Sequence, residues 1–388
     1  MSEFKRVEKE MFPSSYATIG TKGRQIKQPA DKFRTEFQRD IHRIIYSQSF
    51  RRLRHKTQVF YFPQNDHVST RMDHVLFVAS AARTVARCLG LNEDLAEAIG
   101  LAHDIGHAPF GHQGEKFLTD IINESAALKQ HIQRFSHELY GLRVVDKIAK
   151  RDREAPGLNL TWEVRDGIVS HCGEDFKTCK LIPNDKDKKL YEIKDRKNAG
   201  FPATLEGCIV RLIDKVAYCG KDIEDAIAAE VIKESDVPEN ISGKLGKTNG
   251  KIIGSFLESI IKESYDKDYI AISKEYGDLL HSMIKFNKIK IYHSEKSEGY
   301  RKQAEHTIKL LFEELKDVYL KTDRFQNFKK DNKTPYVHKI FAEYVNDMRD
   351  IYEKSDPDEL IVLDFIAGMT DSFVVRSFQE LFIPQATV

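Results

Sequence analysis

The chain of 388 residues carries 61 lysines and arginines against 60 aspartates and glutamates, so its charge is nearly balanced. This balance provides no overall attraction to nucleic acid or to an anionic membrane surface. The five cysteines lack CxxC spacing, which argues against a disulfide scaffold and favours a reduced, cytoplasmic protein; no signal peptide or long apolar span is visible. The length fits two or three domains or one large helical body.

Residues 1–34 are polar and broken by glycine and proline, so we expect an irregular arm that packs on a neighbouring subunit or is disordered. From Phe37 to Phe60 the apolar residues follow roughly helical spacing, and the end of this segment is basic, with Arg51, Arg52 and Arg54. A loop from Tyr61 to Thr70 then leads to Arg71.

A second helix is predicted to open near Ser69 and to carry His74 at its start. Its buried stripe is formed by Val75, Val78, Ala82, Val85, Ala86 and Leu89. Taken alone, His74 would more often be a core histidine than a ligand. A third helix runs from the N-cap Asn92 to Ala102.

The third helix ends in the stretch LAHDIGHAPFGHQGE, which covers Leu101 to Glu115. An imidazole and a carboxylate, His103 and Asp104, stand where this helix stops, because Gly106 and Pro109 force the chain out of helical geometry. Structural histidines are usually single and hydrogen-bonded. Three histidines in one short run, His103, His107 and His112, therefore indicate a functional site.

Helices are also predicted between Phe117 and Lys150, with His137 ahead of an apolar run, and from Trp162 to His171. Cys172 and Cys179, near His171, could hold zinc, but buried free thiols are the simpler interpretation. The charged segment from Pro183 to Gly200 is predicted to be an exposed loop.

An amphipathic helix from Leu205 to Ile227 places Asp214 among apolar residues, where a carboxylate costs several kcal/mol unless it is paired or binds a metal. Asp214, Tyr218 and Asp222 recur at i, i+4 and i+8 and so share nearly one face of this helix. The alternative for such a polar row is a solvent-exposed stripe.

From Glu234 to Tyr344 the sequence is rich in lysine, and a loop is predicted at Gly243, Gly246 and Gly250. Helical patterns follow at Ile252 to Ile261, Tyr276 to Ile291, Ala304 to Tyr319 and Val337 to Asp347. No internal repeat, Walker-A loop or dinucleotide fingerprint is present. The predicted fold is all-α, with an arm (1–34), a core (35–233), a helical elaboration (234–344) and C-terminal helices (345–388).

The order His74, His103-Asp104, Asp214 resembles the H…HD…D signature of HD-domain metal-dependent phosphohydrolases. The longer motif HDIGHAPFGHQGE is similar to the branch that cleaves deoxynucleoside triphosphates, the dGTPase-like triphosphohydrolases. The segment from Phe37 to Phe60 and the tail LDFIAGMTDSFVVRSFQELF also resemble that family, whereas Glu234 to Tyr344 matches it only loosely. The fold implied is a helical HD catalytic core (35–233) with added helices, of which the C-terminal ones (345–388) pack back on the core.

The resemblance implies a role for each candidate residue. It makes His74, His103, Asp104 and Asp214 the ligands of a divalent ion, which ligand type alone leaves open among Mn, Mg, Fe, Co, Ni and Zn. Substrate contacts are implied for Gln58 and Asp222 (sugar), Tyr218 (under C2′), and Arg71, His137 and Lys215 (phosphates). His112, oriented by Glu115, is the candidate acid for the leaving alkoxide, or acts on the nucleophile instead; His107 is a further candidate and phosphate contact.

The reaction implied is attack at the α-phosphorus of a deoxynucleoside triphosphate, releasing a deoxynucleoside and intact triphosphate. Another HD phosphohydrolase, acting on nucleoside monophosphates or alarmones, is one alternative. A non-catalytic dNTP- or nucleic-acid-binding protein is the other. Further expected partners are an allosteric dNTP, single-stranded nucleic acid and other copies of the chain in a dimer, tetramer or hexamer, with no membrane.

Overall fold

Helices form almost all of the regular structure, in agreement with the predicted all-α class. In the computed structural model of the chain, the described residues are 8–58, 69–150, 155–173, 179–184, 186–239, 241, 249–292, 294–326, 328 and 331–384. The first nine α-helices are α1 Glu8–Met11, α2 Glu36–Tyr46, α3 Gln48–Arg52, α4 Arg71–Cys88, α5 Glu93–Ala102, α6 Gly111–Glu124, α7 Ala126–His131, α8 His137–Arg143 and α9 Trp162–Ser170.

The later α-helices are α10 Arg196–Ala199, α11 Leu205–Ala228, α12 Asn249–Ser264, α13 Lys274–Asn287, α14 Glu295–Lys321, α15 Tyr336–Met348, α16 Asp358–Ala367 and α17 Asp371–Phe382. Short 3-10 turns lie at Leu53–His55, Leu190–Glu192, Glu234–Asp236 and Arg349–Ile351, and π-helical turns at Val144–Ile148 and Lys288–Tyr292. Two short strands, β1 Lys180–Leu181 and β2 Ile270–Ala271, pair antiparallel.

Helix α5 is the centre of the fold. It is apolar on nearly all sides, with Leu95 and Ile99 fully buried, and it packs against α2, α4, α9 and α11. Its start is set by the Asn92 side chain, which accepts a hydrogen bond from the backbone of Leu95. Because α5 ends in the middle of the fold, the residues that follow it are delivered to a buried position.

The described part of the N-terminal arm packs on the chain's own core, so the expectation of disorder is wrong there, whereas packing on a neighbouring subunit stays a prediction. The backbone and hydroxyl of Thr18 donate to the carboxylate of Glu206, at 3.0 Å and 2.8 Å. Arg24 pairs with the buried Asp40. Both carboxylates are desolvated by α-helices and need the donors that the arm supplies.

The predicted exposed loop from Pro183 to Gly200 is also wrong in part. It contains a 3-10 turn and α10, and the ammonium of Lys188 is buried 2.8 Å from Asp166. Charge density alone therefore misled the prediction, because one of these lysines neutralises a core carboxylate. Gly250 lies in α12, whereas Gly243, Gly246 and residues 61–68 lie outside the described residues.

The turn after α5 passes very close to α8, and only glycine fits there. A Cβ atom at Gly106 would lie 2.2 Å from both the Gly141 nitrogen and the His137 carbonyl oxygen, so the backbones would have to separate. Gly254, exposed in α12, has no neighbouring atom within 4 Å of its Cβ position.

We therefore expect Gly106→Ala to lower the free energy of unfolding by at least about 2 kcal/mol through overpacking. Gly254→Ala should instead be neutral or stabilise by up to about 1 kcal/mol, because alanine favours the helix. Thermal and denaturant unfolding of the two variants would test this. Equal stability of both would contradict the close approach of α8 to the turn.

Candidate functional site

Four side chains from three helical segments converge beside the end of α5. His74 lies in α4, His103 and Asp104 directly follow α5, and Asp214 lies in α11. The Nε2 atoms of His74 and His103 lie 2.9 Å and 3.6 Å from Oδ1 of Asp214. Asp104 approaches the same two nitrogens, at 4.0 Å from His74 and 3.5 Å from His103. The four residues predicted as metal ligands are thus brought together.

The hydrogen bonding of His103 fits a metal ligand. Its Nδ1–H donates to the carbonyl of Gly100 at 2.7 Å, which leaves the lone pair on Nε2. That Nε2 is buried, faces Asp214 and has no hydrogen-bond partner among the described residues. Two imidazoles and two carboxylates suit a borderline transition ion, so the residues present fit a divalent metal.

The two carboxylates of this group remain ionised. Burial alone would raise the pKa of Asp104, but His107, His103 and Arg71 together hold it well below its usual range. For Asp214, burial is likewise outweighed by His103 and His74, which hold its pKa well below normal. The group therefore offers two negative charges to a cation at neutral pH.

Arg71 opens α4 and is buried beside this group. Its Nη1 lies 2.5 Å from Oδ2 of Asp104, and its Nε has no hydrogen-bond partner among the described residues. A capping box between Thr70 and Asp73 fixes the start of the helix. A buried guanidinium with an unused donor beside two carboxylates is suited to bind an anion that enters with a metal ion.

Glu115, in α6, is shared by three histidines. Its Oε1 lies 2.8 Å from Nδ1 of His137 and 3.1 Å from Nδ1 of both His107 and His112. The rings of His107 and His137 stack with centroids 3.8 Å apart, whereas His112 is 71% exposed. The sequence predicted the pairing with His112 but not the other two.

The buried histidines differ in charge. Burial, reinforced by the charge of Arg71, lowers the pKa of His107 to about 4, so this imidazole is neutral at pH 7. For His137, burial acts in the same direction, but Glu115 and Glu138 raise its pKa well above normal. The stacked pair of His107 and His137 thus combines a neutral imidazole with an imidazolium.

The polar row of α11 faces inward, as the prediction from Asp214 requires, and is not a solvent stripe. Asp222 is buried and accepts a hydrogen bond from the hydroxyl of Tyr292, and Tyr218 is half-buried between Asp214 and Asp222 along the helix. Burial raises the pKa of Asp222 to about 7. No sequence pattern pointed to Tyr292, which lies in the segment that matches the family only loosely.

Lys215 and Gln58, the other two predicted substrate contacts, differ from each other in their hydrogen bonding. Lys215 donates to the carbonyl of Gly173, so its ammonium is engaged with backbone on the α9 side of the helix. Gln58 is half-buried, and its Oε1 has no hydrogen-bond partner among the described residues. Within the described ranges, the geometry therefore leaves the Gln58 oxygen without a donor and gives Lys215 a backbone partner.

Lys56 and Asp371 were not singled out from the sequence, yet they hold the turn that follows α5. The ammonium of Lys56 donates to the carbonyls of His107 and Ala367, and burial lowers its pKa to about 7. Asp371 accepts from the backbone nitrogens of Thr57 and Phe110, both at 3.0 Å. The C-terminal helices thus contact the core at this turn. The sequence shows a lysine and an aspartate at these positions but no sign that either is buried.

His171 and Cys172 were weighed in the sequence only as a possible zinc pair with Cys179. His171 lies 3.2 Å from His137, Nε2 to Nε2, and the Cys172 sulfur lies 3.5 Å from the same His137 nitrogen. Burial raises the pKa of the Cys172 thiol to about 12, so it is not a thiolate nucleophile. Cys179 does not take part in this group.

Among the described residues, no helix combines the length and apolar character needed to cross a bilayer. The sequence profile of the HD domain matches residues 71–219. This range includes the four predicted metal ligands His74, His103, Asp104 and Asp214, called the first group below. Three similar proteins carry the name deoxyguanosinetriphosphate triphosphohydrolase-like protein, as follows.

The protein from Caldanaerobacter subterraneus subsp. tengcongensis is 36% identical over 97% of this chain and 93% of its own length. That from Desulfatibacillum aliphaticivorans is 34% identical over 97% of this chain and 96% of its own. That from Clostridium tetani is 34% identical over 100% of this chain and 98% of its own. The chain therefore belongs to the dGTPase-like family of HD-domain proteins and is a phosphohydrolase.

Proposed function

We propose that this protein hydrolyses deoxynucleoside triphosphates to deoxynucleoside and inorganic triphosphate. The observation that carries the proposal is the buried Nε2 of His103, which has no hydrogen-bond partner in the described part of the chain and lies among two ionised carboxylates beside the Arg71 guanidinium. The names of the relatives at 34–36% identity point to the same substrate class. A divalent ion bound by His74, His103, Asp104 and Asp214 would supply Lewis-acid activation of water and of the phosphoryl group.

The phosphates would be bound by a wall of cationic and neutral donors. Arg71 and the imidazolium of His137 supply positive charge, and neutral His107 supplies a hydrogen-bonding nitrogen between them. A triphosphate concentrates several negative charges, so a desolvated cationic wall stabilises its transition state more than water does. Because His107 is neutral, it adds no further positive charge to repel Arg71 and His137 in the absence of substrate.

The leaving group needs a proton. When the bond between the α-phosphorus and the 5′-oxygen breaks, water's oxygen stays on the triphosphate and the 5′-oxygen must be protonated. His112 is exposed on its outer side and held by Glu115 on its inner side, which suits an acid that exchanges protons with solvent. His112 is therefore the proposed acid, and Glu115 its positioning residue.

The deoxyribose would lie along α11. Asp222 is proposed to accept from the 3′-hydroxyl, Tyr218 to pack under C2′, and Gln58 to offer its unused oxygen to the sugar. An aromatic ring under C2′ leaves no room for a 2′-hydroxyl, which would favour deoxynucleotides. Lys215, engaged with Gly173, would contact phosphate only if it gave up that carbonyl.

The reaction class is tested by the products. With Mn²⁺ and each dNTP, alone and mixed, the protein should release deoxynucleoside and intact triphosphate, identified by chromatography and phosphorus NMR. Asp214→Asn should lower kcat at least about 100-fold because it removes a charged ligand. Glu224→Gln, exposed on the same helix, is the control and should retain activity. Pyrophosphate or monophosphate as product would overturn attack at the α-phosphorus, and no turnover with any mixture would favour another substrate or a binding role.

The acid is tested by kinetics. His112→Ala should lower kcat by about 10²–10⁴ with little change in KM, because the proton is needed in the transition state and not for binding. His131→Ala, on the exposed surface of α7, should have no effect. An unchanged kcat in His112→Ala would assign the acid to another group.

The burial of Asp222 predicts that the stability of the folded protein depends on pH. Its pKa is raised from 3.8 to about 7, so the folded state binds the proton more tightly, and the carboxyl lowers stability progressively as pH rises from about 4 to 7. In metal-free protein, Asp222→Asn should therefore be more stable than the wild type at pH 8, by about 1–3 kcal/mol, with the difference vanishing near pH 4. Melting temperatures across this range would measure it. If the stability of Asp222→Asn minus that of the wild type falls between pH 5 and pH 8 instead of rising, the raised pKa is contradicted.

A further inference from the structure

We propose that His137, His171 and Cys172 form a second cation site, selective for zinc-class ions and adjacent to the first group. These three donors lie in the described part of the chain within 4.8 Å of one another, and neither the proposed reaction nor the HD signature assigns them to a metal. His137 and His171 are fully buried, so solvent does not compete for them. The inference rests on this geometry and not on the proposed substrate.

The distances match tetrahedral coordination. A zinc ion at ordinary bond lengths would hold two imidazole nitrogens about 3.3 Å apart and an imidazole nitrogen about 3.6 Å from a thiolate sulfur. The Nε2 atoms of His137 and His171 are 3.2 Å apart, and the Cys172 sulfur is 3.5 Å from His137 Nε2. Two of the three donor pairs are therefore already spaced as they would be around one ion, and the third pair lies within 4.8 Å.

Hydrogen bonds at the Nδ1 atoms of His137 and His171 direct the Nε2 lone pair of each ring toward the proposed ion position. His171 Nδ1–H donates to the carbonyl of Ile168 at 2.6 Å, which leaves its Nε2 as an acceptor. His137 Nδ1 faces Glu115 at 2.8 Å, so its other nitrogen also faces inward. Two imidazole lone pairs at this distance repel unless a positive charge lies between them. In the metal-free protein the proton on His137 supplies this charge. A bound metal ion would replace it, and the protons of His137 and of the Cys172 thiol would be released to solvent.

Asp104 connects the two groups. Its Oδ1 lies 4.0 Å from His171 Nε2 and 3.5 Å from His103 Nε2, between the proposed second site and the first. It would therefore provide the fourth ligand or bridge the two ions. The first group contains nitrogen and oxygen donors, whereas the second adds sulfur, which favours zinc, cobalt or cadmium over magnesium or manganese.

Occupancy of the second site would change the proposed phosphate wall. His137 cannot be both an imidazolium and a metal ligand, so a bound ion converts it from a hydrogen-bond donor into a fixed ligand. Where dNTP hydrolysis is the activity, zinc beyond the first equivalent should inhibit the wild-type protein.

The site is tested with Co²⁺, because a thiolate ligand produces a sulfur-to-cobalt charge-transfer band in the near ultraviolet and the first group contains no sulfur. The metal-free wild-type protein should bind two equivalents, and the band should accompany one of them. Cys172→Ser should bind one equivalent, show no band and keep its far-ultraviolet circular dichroism. His171→Gln should also lose the band.

Cys179→Ser is the control, because this cysteine lies outside the group. It should keep both equivalents and the band. A wild-type protein that binds a single equivalent without the band would overturn the second site. A band that persists in Cys172→Ser would place the sulfur elsewhere. Both outcomes are independent of whether dNTPs are hydrolysed, which the product assay decides separately.

Discussion

The cost of removing carboxylates from water is the constraint on which this site depends. Asp104, Glu115 and Asp214 are all buried, and each would be neutralised or would destabilise the fold if it stood alone. Each is instead surrounded by imidazoles or a guanidinium, and the partners come from different helices. The helices α4, α5, α6, α8 and α11 therefore have to be in place together, and the electrostatics of the site and the packing of the core stabilise each other.

Local patterns predicted the elements that carry the site. The N-cap Asn92 predicted the start of α5, and apolar periodicity predicted α4 and α11 to within a few residues. These signals succeed because capping and helical periodicity act within a few positions of the chain. The break after His103 followed from Gly106 and Pro109. The resemblance of HDIGHAPFGHQGE to a known family added the roles, and the geometry brings the predicted ligands within reach of one another.

The remaining features depend on residues that are distant in the chain. Lys56 meets His107, His137 meets His171, and Lys188 neutralises Asp166, and none of these pairs follows a helical period. Composition even misled the prediction, since the lysine-rich segment that holds Lys188 looked like a solvated loop. A sequence shows that a charge exists, but whether it is buried is decided by the packing of other segments, which single-sequence patterns do not encode.

The hydrogen bond from the Phe110 backbone to Asp371 joins positions 261 residues apart. A ribosome makes the HD motif long before it makes this carboxylate, so a nascent chain carries the turn at Phe110 without the acceptor that holds it. Phe110 also adopts a left-handed backbone conformation, with φ of 63°, which a free chain seldom populates. The turn after α5 therefore gains this hydrogen-bond acceptor only when the segment that begins α17 has been made.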